Sequence, residues 1–429
     1  MLVTTRIVKI FFSGFLLALA FLSLAPDPVL EKPCGDCEGG YVSVARNLTE
    51  GNGFIDTNGT FATARPPGHA LFLSGVLLLA KALGISEITA FRGANALLFG
   101  LIGVVLSRIA QRAWGDNGSA ITTVLCLWFT SPFSLFFLTA PYSELPFILT
   151  YFVLFLVVMP NVQVRHEAGF SYFLLIGILC GVAMIIRPLA IGIPFVVGIA
   201  LICWTNCPQR MVYLRVVSQK LMGVLVGVIL VTGPWSAYVY KNTGHMIFLT
   251  DGTLTQNSLV NGFTFASRGE DYRVPIYLPT HARTLMSSIE SELVKRSTLK
   301  TEEGMTKSVG PIIDIVSREV ILNKIGAIEL FGTKIIRSWF GTDSHRYENY
   351  SLTLILIYGS LIILGFIQVM RRDLVSKPLV FFVLGLTAYF WILCVIFEPL
   401  VRYLVPQMGL LFLFIPGIWR GNTLKIRQR

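Results

Sequence analysis

Two acids, Asp36 and Glu38, directly follow the first apolar run of the chain, and a third, Glu144, ends the short turn Ala140-Pro141-Tyr142-Ser143-Glu144 between two later runs. Carboxylates in such places can take a proton from an attacking hydroxyl as general bases, or ligate a divalent cation. The plain alternative is that they are solvated loop acids. Three arginines stand at comparable boundaries: Arg65 before Pro66-Pro67-Gly68, Arg187 before Pro188 where two apolar runs meet, and Arg402 within Glu398-Pro399-Leu400-Val401-Arg402-Tyr403. A guanidinium fork suits an anionic lipid phosphate, and a helix starting at Pro66 would add its first amide N–H groups for the same anion. Snorkelling to headgroups accounts for Arg187 and Arg402 equally well, and simple solvent exposure accounts for Arg65.

Other motifs carry less. His69 and His245 lack an H-x-x-x-H partner and read as packed or surface polar groups rather than ligands. Cys34-Gly35-Asp36-Cys37 has the spacing of a disulfide or of half a zinc site, and both stay open without a second pair. There is no G-x-x-x-x-G-K-[ST] loop, and Gly51-Asn52-Gly53 does not open a strand-to-helix unit. A soluble nucleotide-sugar domain is therefore not expected, and an activated donor would have to come from the membrane.

The elements that must position these residues are set by composition. Of 429 residues, 54% are hydrophobic and only 14% charged, which places the chain in a bilayer. The net charge of +11 then reads as basic loops beside membrane helices; no basic run is interleaved with aromatics, and nucleic-acid binding is not expected. Apolar stretches near residues 8–25, 90–112, 119–138, 144–160, 170–186, 188–204, 221–240, 351–369, 378–397 and 402–419 predict an all-α polytopic protein with about ten transmembrane helices. The run from Gly68 to Gly84 is read as surface-lying or re-entrant. With it outside the count and a cytoplasmic N-terminus, Arg108/Arg112, Arg165, Arg210/Arg215/Lys220, Arg371/Arg372/Lys377 and Arg420/Lys425/Arg427/Arg429 all fall on the cytoplasmic side. Three parts follow: residues 1–240, a transmembrane module whose first outer loop (26–89) carries the acids; 241–349, a small mixed extracytoplasmic cap with turn signals at Asp251-Gly252 and Asn261-Gly262; and 350–429, C-terminal transmembrane helices.

The run Gly35-Asp36, Tyr41 to Leu48 (Y-V-S-V-A-R-N-L), Gly51-Asn52-Gly53-Phe54 and Arg65-Pro66-Pro67-Gly68-His69 resembles the first outer loop of GT-C glycosyltransferases. It is most similar to the branch of protein O-mannosyltransferases and lipid A aminoarabinose transferases. Looser matches are Ser143-Glu144, Gly233-Pro234-Trp235 with Lys241-Asn242, and Arg402-Tyr403 with Pro406. The resemblance implies juxtamembrane helices in the first outer loop and inverting transfer of a sugar from a polyprenyl- or dolichyl-phosphate donor. The acceptor would be a hydroxyl of a protein, lipid or glycan, on the extracytoplasmic face of a plasma membrane or endoplasmic reticulum. It implies Asp36 as the catalytic carboxylate with Glu144 as the second-loop acid, Arg65, Arg187 and Arg402 for the donor phosphate, and Tyr41, His69 and Tyr403 for substrate. A divalent metal ion is compatible with it. Two departures matter: Tyr41 follows Asp36 by five residues rather than about four, which keeps Glu38 as a competing base, and His69 stands where Tyr is common.

The rival from another class is a transporter, or a lipid-linked glycan flippase or polymerase. Transporters place ionisable groups near the middle of broken spans. Here the acids crowd the rims of the apolar runs.

Overall fold

The computed structural model describes residues 2–25, 38–159, 169–205, 210–264, 278–297, 310–342 and 347–419. Asp36, Cys34 and Cys37 lie outside these residues, and Glu38 is described only in its backbone. Apart from one isolated bridge between Ile55 and Phe61, the regular structure of the described residues is helical. The chain divides into two units, Met1–Leu249 with Ile362–Gly385 and Met408–Arg429, and Thr250–Leu361 with Leu386–Gln407.

In the first unit the helices are α1 (Leu2–Leu24), α2 (Ser43–Thr49), α3 (Pro67–Leu83), α4 (Glu87–Trp114), α5 (Gly118–Thr130), the short α6 (Pro132–Phe136), α7 (Glu144–Val158), α8 (Phe170–Ile186), α9 (Ile193–Cys203) and α10 (Arg210–Thr243). Their ends follow local chemistry. Pro67 opens α3 at its first position, where the missing N–H costs nothing, and Gly84 closes it in the left-handed region at φ 67°. Ser86 caps α4 by accepting from the Thr89 amide at 3.2 Å. Pro188 forces Arg187 into an extended conformation (φ −141°, ψ 122°) and thereby ends α8.

Close glycine contacts set how these helices run. Gly177 and Gly181 on α8 face Gly223 and Gly227 on α10: a Cβ at Gly177 would lie 2.1 Å from the Val224 carbonyl oxygen, and one at Gly227 2.4 Å from that of Leu174. Residues 173–181 thus march alongside 223–231 in the same direction, so α8 and α10 are parallel and α9 is the return between them. Between apolar helices in lipid there is little hydrophobic drive to associate, and this close backbone approach supplies dispersion contact instead. Helices α1 and α4 are antiparallel: Phe11 packs on Gly100, while Arg6 and Ile10 share a groove with Ser107 and Gln111. The start of α1 therefore lies beside the end of α4.

The second unit contains α11 (Thr253–Thr264), α12 (Thr280–Ser297), α13 (Gly310–Leu322) and α14 (Lys324–Arg337), with parts of α15 (Glu348–Arg372) and α16 (Lys377–Ile396). Its core gathers Leu259, Phe263, Leu285, Met286, Ile289 and Leu330. The expectation of a mixed cap is corrected here, because the described part of residues 241–349 is helical. The turn expected at Asn261-Gly262 is also absent. Both residues sit inside α11, where Asn261 donates to Glu398 at 2.8 Å and Gly262 is pressed so close to the Phe397 carbonyl that no Cβ would fit. Tertiary contact overrides the local turn signal.

Among the described residues, five helices are long and apolar enough to cross a membrane: Thr5–Leu24, Glu87–Trp114, Met211–Thr243, Glu348–Arg372 and Lys377–Ile396. The other five expected spans fold as the shorter apolar helices Gly118–Thr130, Glu144–Val158, Phe170–Ile186, Pro188–Cys203 and Val405–Gly417. At 1.5 Å per residue, the 13 residues of α5 reach only about 20 Å.

Replacing Gly227 by Ala should destabilise the detergent-solubilised protein by about 1–3 kcal/mol, since the new methyl meets backbone that cannot swing away. Gly75→Ala, at an exposed helical position with nothing within 4 Å, should instead be neutral or stabilising by about 0.5–1 kcal/mol. Thermal unfolding of the two variants in the same detergent distinguishes them; equal effects would remove the close α8–α10 contact.

Candidate functional site

At one end of the first unit, the start of α7 lies beside the end of α8. Glu144 occupies the first turn of α7, where the helix dipole favours an anion, and Arg187 caps α8, where it favours a cation. The two meet: Arg187 Nη1 is 3.0 Å from Glu144 Oε1, with side chains only 11% and 5% exposed. Two desolvated charges of this kind are tolerable only together. The guanidinium also stacks 5.8 Å from the Phe147 ring, one helical turn along α7. Glu144 is thus not the solvated loop acid that its sequence context equally allowed.

The turn leading to Glu144 is held from two sides. Asn95, buried in α4, donates through Nδ2 to the carbonyls of Ala140 at 2.8 Å, Phe137 at 3.3 Å and Leu138 at 3.4 Å. His69 Nε2 lies 2.8 Å from the Pro141 carbonyl. A carbonyl oxygen only accepts, so Nε2 carries the proton and Nδ1 presents a lone pair. Nδ1 is buried and has no hydrogen-bond partner among the described residues. Burial pushes the imidazole from 6.5 down to about 4, so it is neutral at physiological pH, and Glu144, Arg187 and Arg65 all lie close enough to act on its charge.

The first loop closes over the same place. A π-helical turn, Glu38–Val42, leads into α2 and lays Tyr41 edge-on against His69, with ring centres 4.8 Å apart. The Arg65 guanidinium stacks over the Tyr41 ring, 4.5 Å from its centre, and lies so close to Gly40 that a Cβ there would be 2.3 Å from Arg65 Nε. Gly68 seats the start of α3 against the end of α8, since a Cβ would lie 2.7 Å from the Ile185 carbonyl oxygen. Further along, Phe54 and Phe61 pack on Trp235 of α10, whose indole donates to the Leu249 carbonyl at 3.0 Å. The Arg46–Glu87 pair, at 2.8 Å, ties α2 to the start of α4.

Glu144, Arg187, Tyr41, His69 and Arg65 are therefore brought together. Arg402 and Tyr403 belong to the second unit. There Glu398 accepts from Asn261 and, at 3.0 Å, from the Tyr403 hydroxyl; the Arg402 Nη2 lies 3.1 Å from that hydroxyl and 3.9 Å from Glu398. The segment they occupy is anchored by two buried cations of α14. Lys334 Nζ donates to the Ile396 carbonyl at 3.0 Å and sits 4.2 Å from the Phe263 ring centre, while Arg337 reaches the Pro399 carbonyl and pairs with Glu348 at 2.6 Å. Among the described residues no three His, Cys, Asp or Glu side chains gather as a metal site. Sequence reading missed Asn95, Lys334 and Arg337, for which the available signal was a polar or charged side chain inside an otherwise apolar helical stripe, and Phe147, which carries no such signal.

Comparison of the chain with protein-family models, curated proteins and solved structures gives no match.

Burial pushes Lys334 from its usual 10.5 down to about 7. Between those values the unfolded chain holds the proton and the folded chain has released it, so this group makes stability rise with pH from about 7 to 10.5. Lys334→Met removes the dependence. The melting temperature of the variant minus that of the unaltered protein should therefore be greatest near pH 6.5 and shrink towards pH 10; a difference independent of pH would show a lysine that titrates normally.

Proposed function

We propose that this chain is an integral-membrane glycosyltransferase of the GT-C kind, moving a sugar from a polyprenyl- or dolichyl-phosphate donor to an acceptor hydroxyl on the extracytoplasmic face. The observation that carries the reading is the buried Glu144–Arg187 pair, set at two adjoining helix ends beneath the loop whose sequence carries the resemblance. Tyr41, His69 and Arg65, all within the stretch that resembles the family, converge on this pair from the first loop. The Asn95 and His69 contacts fix the second loop against it.

In this mechanism Asp36, or Glu38 in its place, removes the proton of the acceptor hydroxyl as it attacks the anomeric carbon. The bond from that carbon to the lipid phosphate breaks with inversion, and the proton ends on the carboxylate. Arg65 and Arg187 stabilise the negative charge that grows on the departing phosphate. Glu144 orients Arg187 rather than acting as a second base, which revises its role as an acid-base partner. His69 Nδ1 offers a neutral acceptor for a substrate hydroxyl. Within the second unit, Glu398 holds Tyr403, whose hydroxyl it accepts from at 3.0 Å, and Arg402 beside it.

Asp36→Asn should lower transfer from a polyprenyl-phosphate hexose by roughly 10²–10⁴-fold while leaving thermal stability unchanged. Near-normal turnover would take Asp36 out of the reaction. Glu144→Gln and Arg187→Gln should each destabilise the protein by about 3–5 kcal/mol by stranding a buried charge. The double variant should recover much of that stability without recovering transfer. If it is both stable and active, the pair is architecture alone.

A further inference from the structure

Helix α14 is amphipathic in the sense opposite to that of a helix covering a water-soluble cap. Its inward stripe holds Lys334, with no exposed surface, and Arg337 beside Ala327 and Leu330. Its outward stripe is Ile325, Ile328, Ile335 and Ile336, continued on α13 by Ile321 and Leu322. Ile328 is 74% exposed and Ile336 65%, and no ionisable group interrupts the line from 325 to 336 except Glu329 at its edge, which is turned to His281 and the Ala282 amide. Positions i, i+3, i+10 and i+11 lie on one face of a helix. Six exposed branched aliphatic residues in one line are far from the scattered single apolar residues of an ordinary surface.

What covers this face is indicated by its neighbour. Trp391 of α16 donates its indole N–H to Ser338 Oγ at 2.9 Å and to the Ile335 carbonyl at 3.2 Å, so the end of α14 is fastened to a helix that is itself long and apolar enough to cross a membrane. On that helix Ile392 and Ile396, close in sequence to Trp391, are exposed as the outward isoleucines of α14 are. Tryptophan with its ring in hydrocarbon and its N–H satisfied is a membrane-boundary residue.

We infer that the outward face of α13–α14 is covered by the acyl chains of the bilayer: α14 is an interfacial membrane helix, and its segment is not a cap standing in water. The inversion then has a physical logic. The apolar side chains face lipid, and the two cations turn inward, where the carbonyls of Ile396 and Pro399 and the Glu348 carboxylate satisfy them. Lys324, exposed at the start of α14, can keep its ammonium among the headgroups.

The test places the photo-crosslinking residue p-benzoylphenylalanine at Ile328 of the full chain in vesicles of phosphatidylcholine and phosphatidylglycerol, with Lys295 of α12, a 70% exposed lysine, as the polar comparison site. Irradiation followed by mass spectrometry should give phospholipid adducts at position 328 and none at position 295. An adduct to a second copy of the chain, or no adduct at position 328, overturns the inference. If the substitution at Ile328 does not yield folded protein, Ile325 on the same stripe takes its place. The readout needs no enzymatic activity, so it stands or falls separately from the proposed transfer reaction.

Discussion

The first unit is organised around a constraint imposed by two charges out of water. Glu144 and Arg187 are each too costly to bury alone, and each is nearly enclosed. Their meeting fixes the start of α7 against the end of α8 and lets both helix dipoles favour the charge they adjoin. From that point the rest of the end is determined. The turn before Glu144 must be held in place, which Asn95 and His69 do through its carbonyls, and Gly68 must be small for the start of α3 to reach the same spot. Tyr41 then meets His69 edge-on and Arg65 stacks on Tyr41, so that a segment remote in sequence becomes the cover of the pair.

Polar side chains inside this apolar chain act as fasteners for irregular backbone. Where α16 gives way to the stretch holding Glu398 and Arg402, the carbonyls no longer find partners within a helix, and Lys334 and Arg337 supply them. A cation used in this way costs desolvation, which is visible in the lowered proton affinity of Lys334, and the cost is offset by aromatic faces and carbonyl oxygens around it. Long apolar helices, by contrast, are joined by the absence of side chains. Gly177, Gly181, Gly223 and Gly227 bring α8 and α10 close enough for backbone to touch backbone.

These two modes divide the labour that a proposed lipid-linked sugar transferase requires. Close-packed apolar helices give a rigid frame in the bilayer. The rims of those helices, where water and lipid headgroups are within reach, are where opposite charges, a neutral imidazole and aromatic faces can be collected without exposing them to hydrocarbon. A site built at such a rim can take a donor from the membrane and an acceptor from the aqueous side.

The sequence by itself determined the helical membrane class, a few helix ends and the candidates at the rim, because these depend on local chemistry. Apolar run length, the pre-proline break at Arg187, the Pro67 start and the Gly84 stop are properties of neighbouring residues. It could also point to Glu144 and Arg187 by type and position, and to Tyr41 and His69 through the resemblance of the first loop. Only the tertiary structure decided that Glu144 and Arg187 are partners, that Asn95 holds their turn, that the Asn261-Gly262 turn signal yields to a helix packed on Phe397, and that the apolar face of α14 points outward. Each depends on which distant segment occupies the adjoining space, and pairing between remote helix ends leaves no mark in the spacing of residues along the chain.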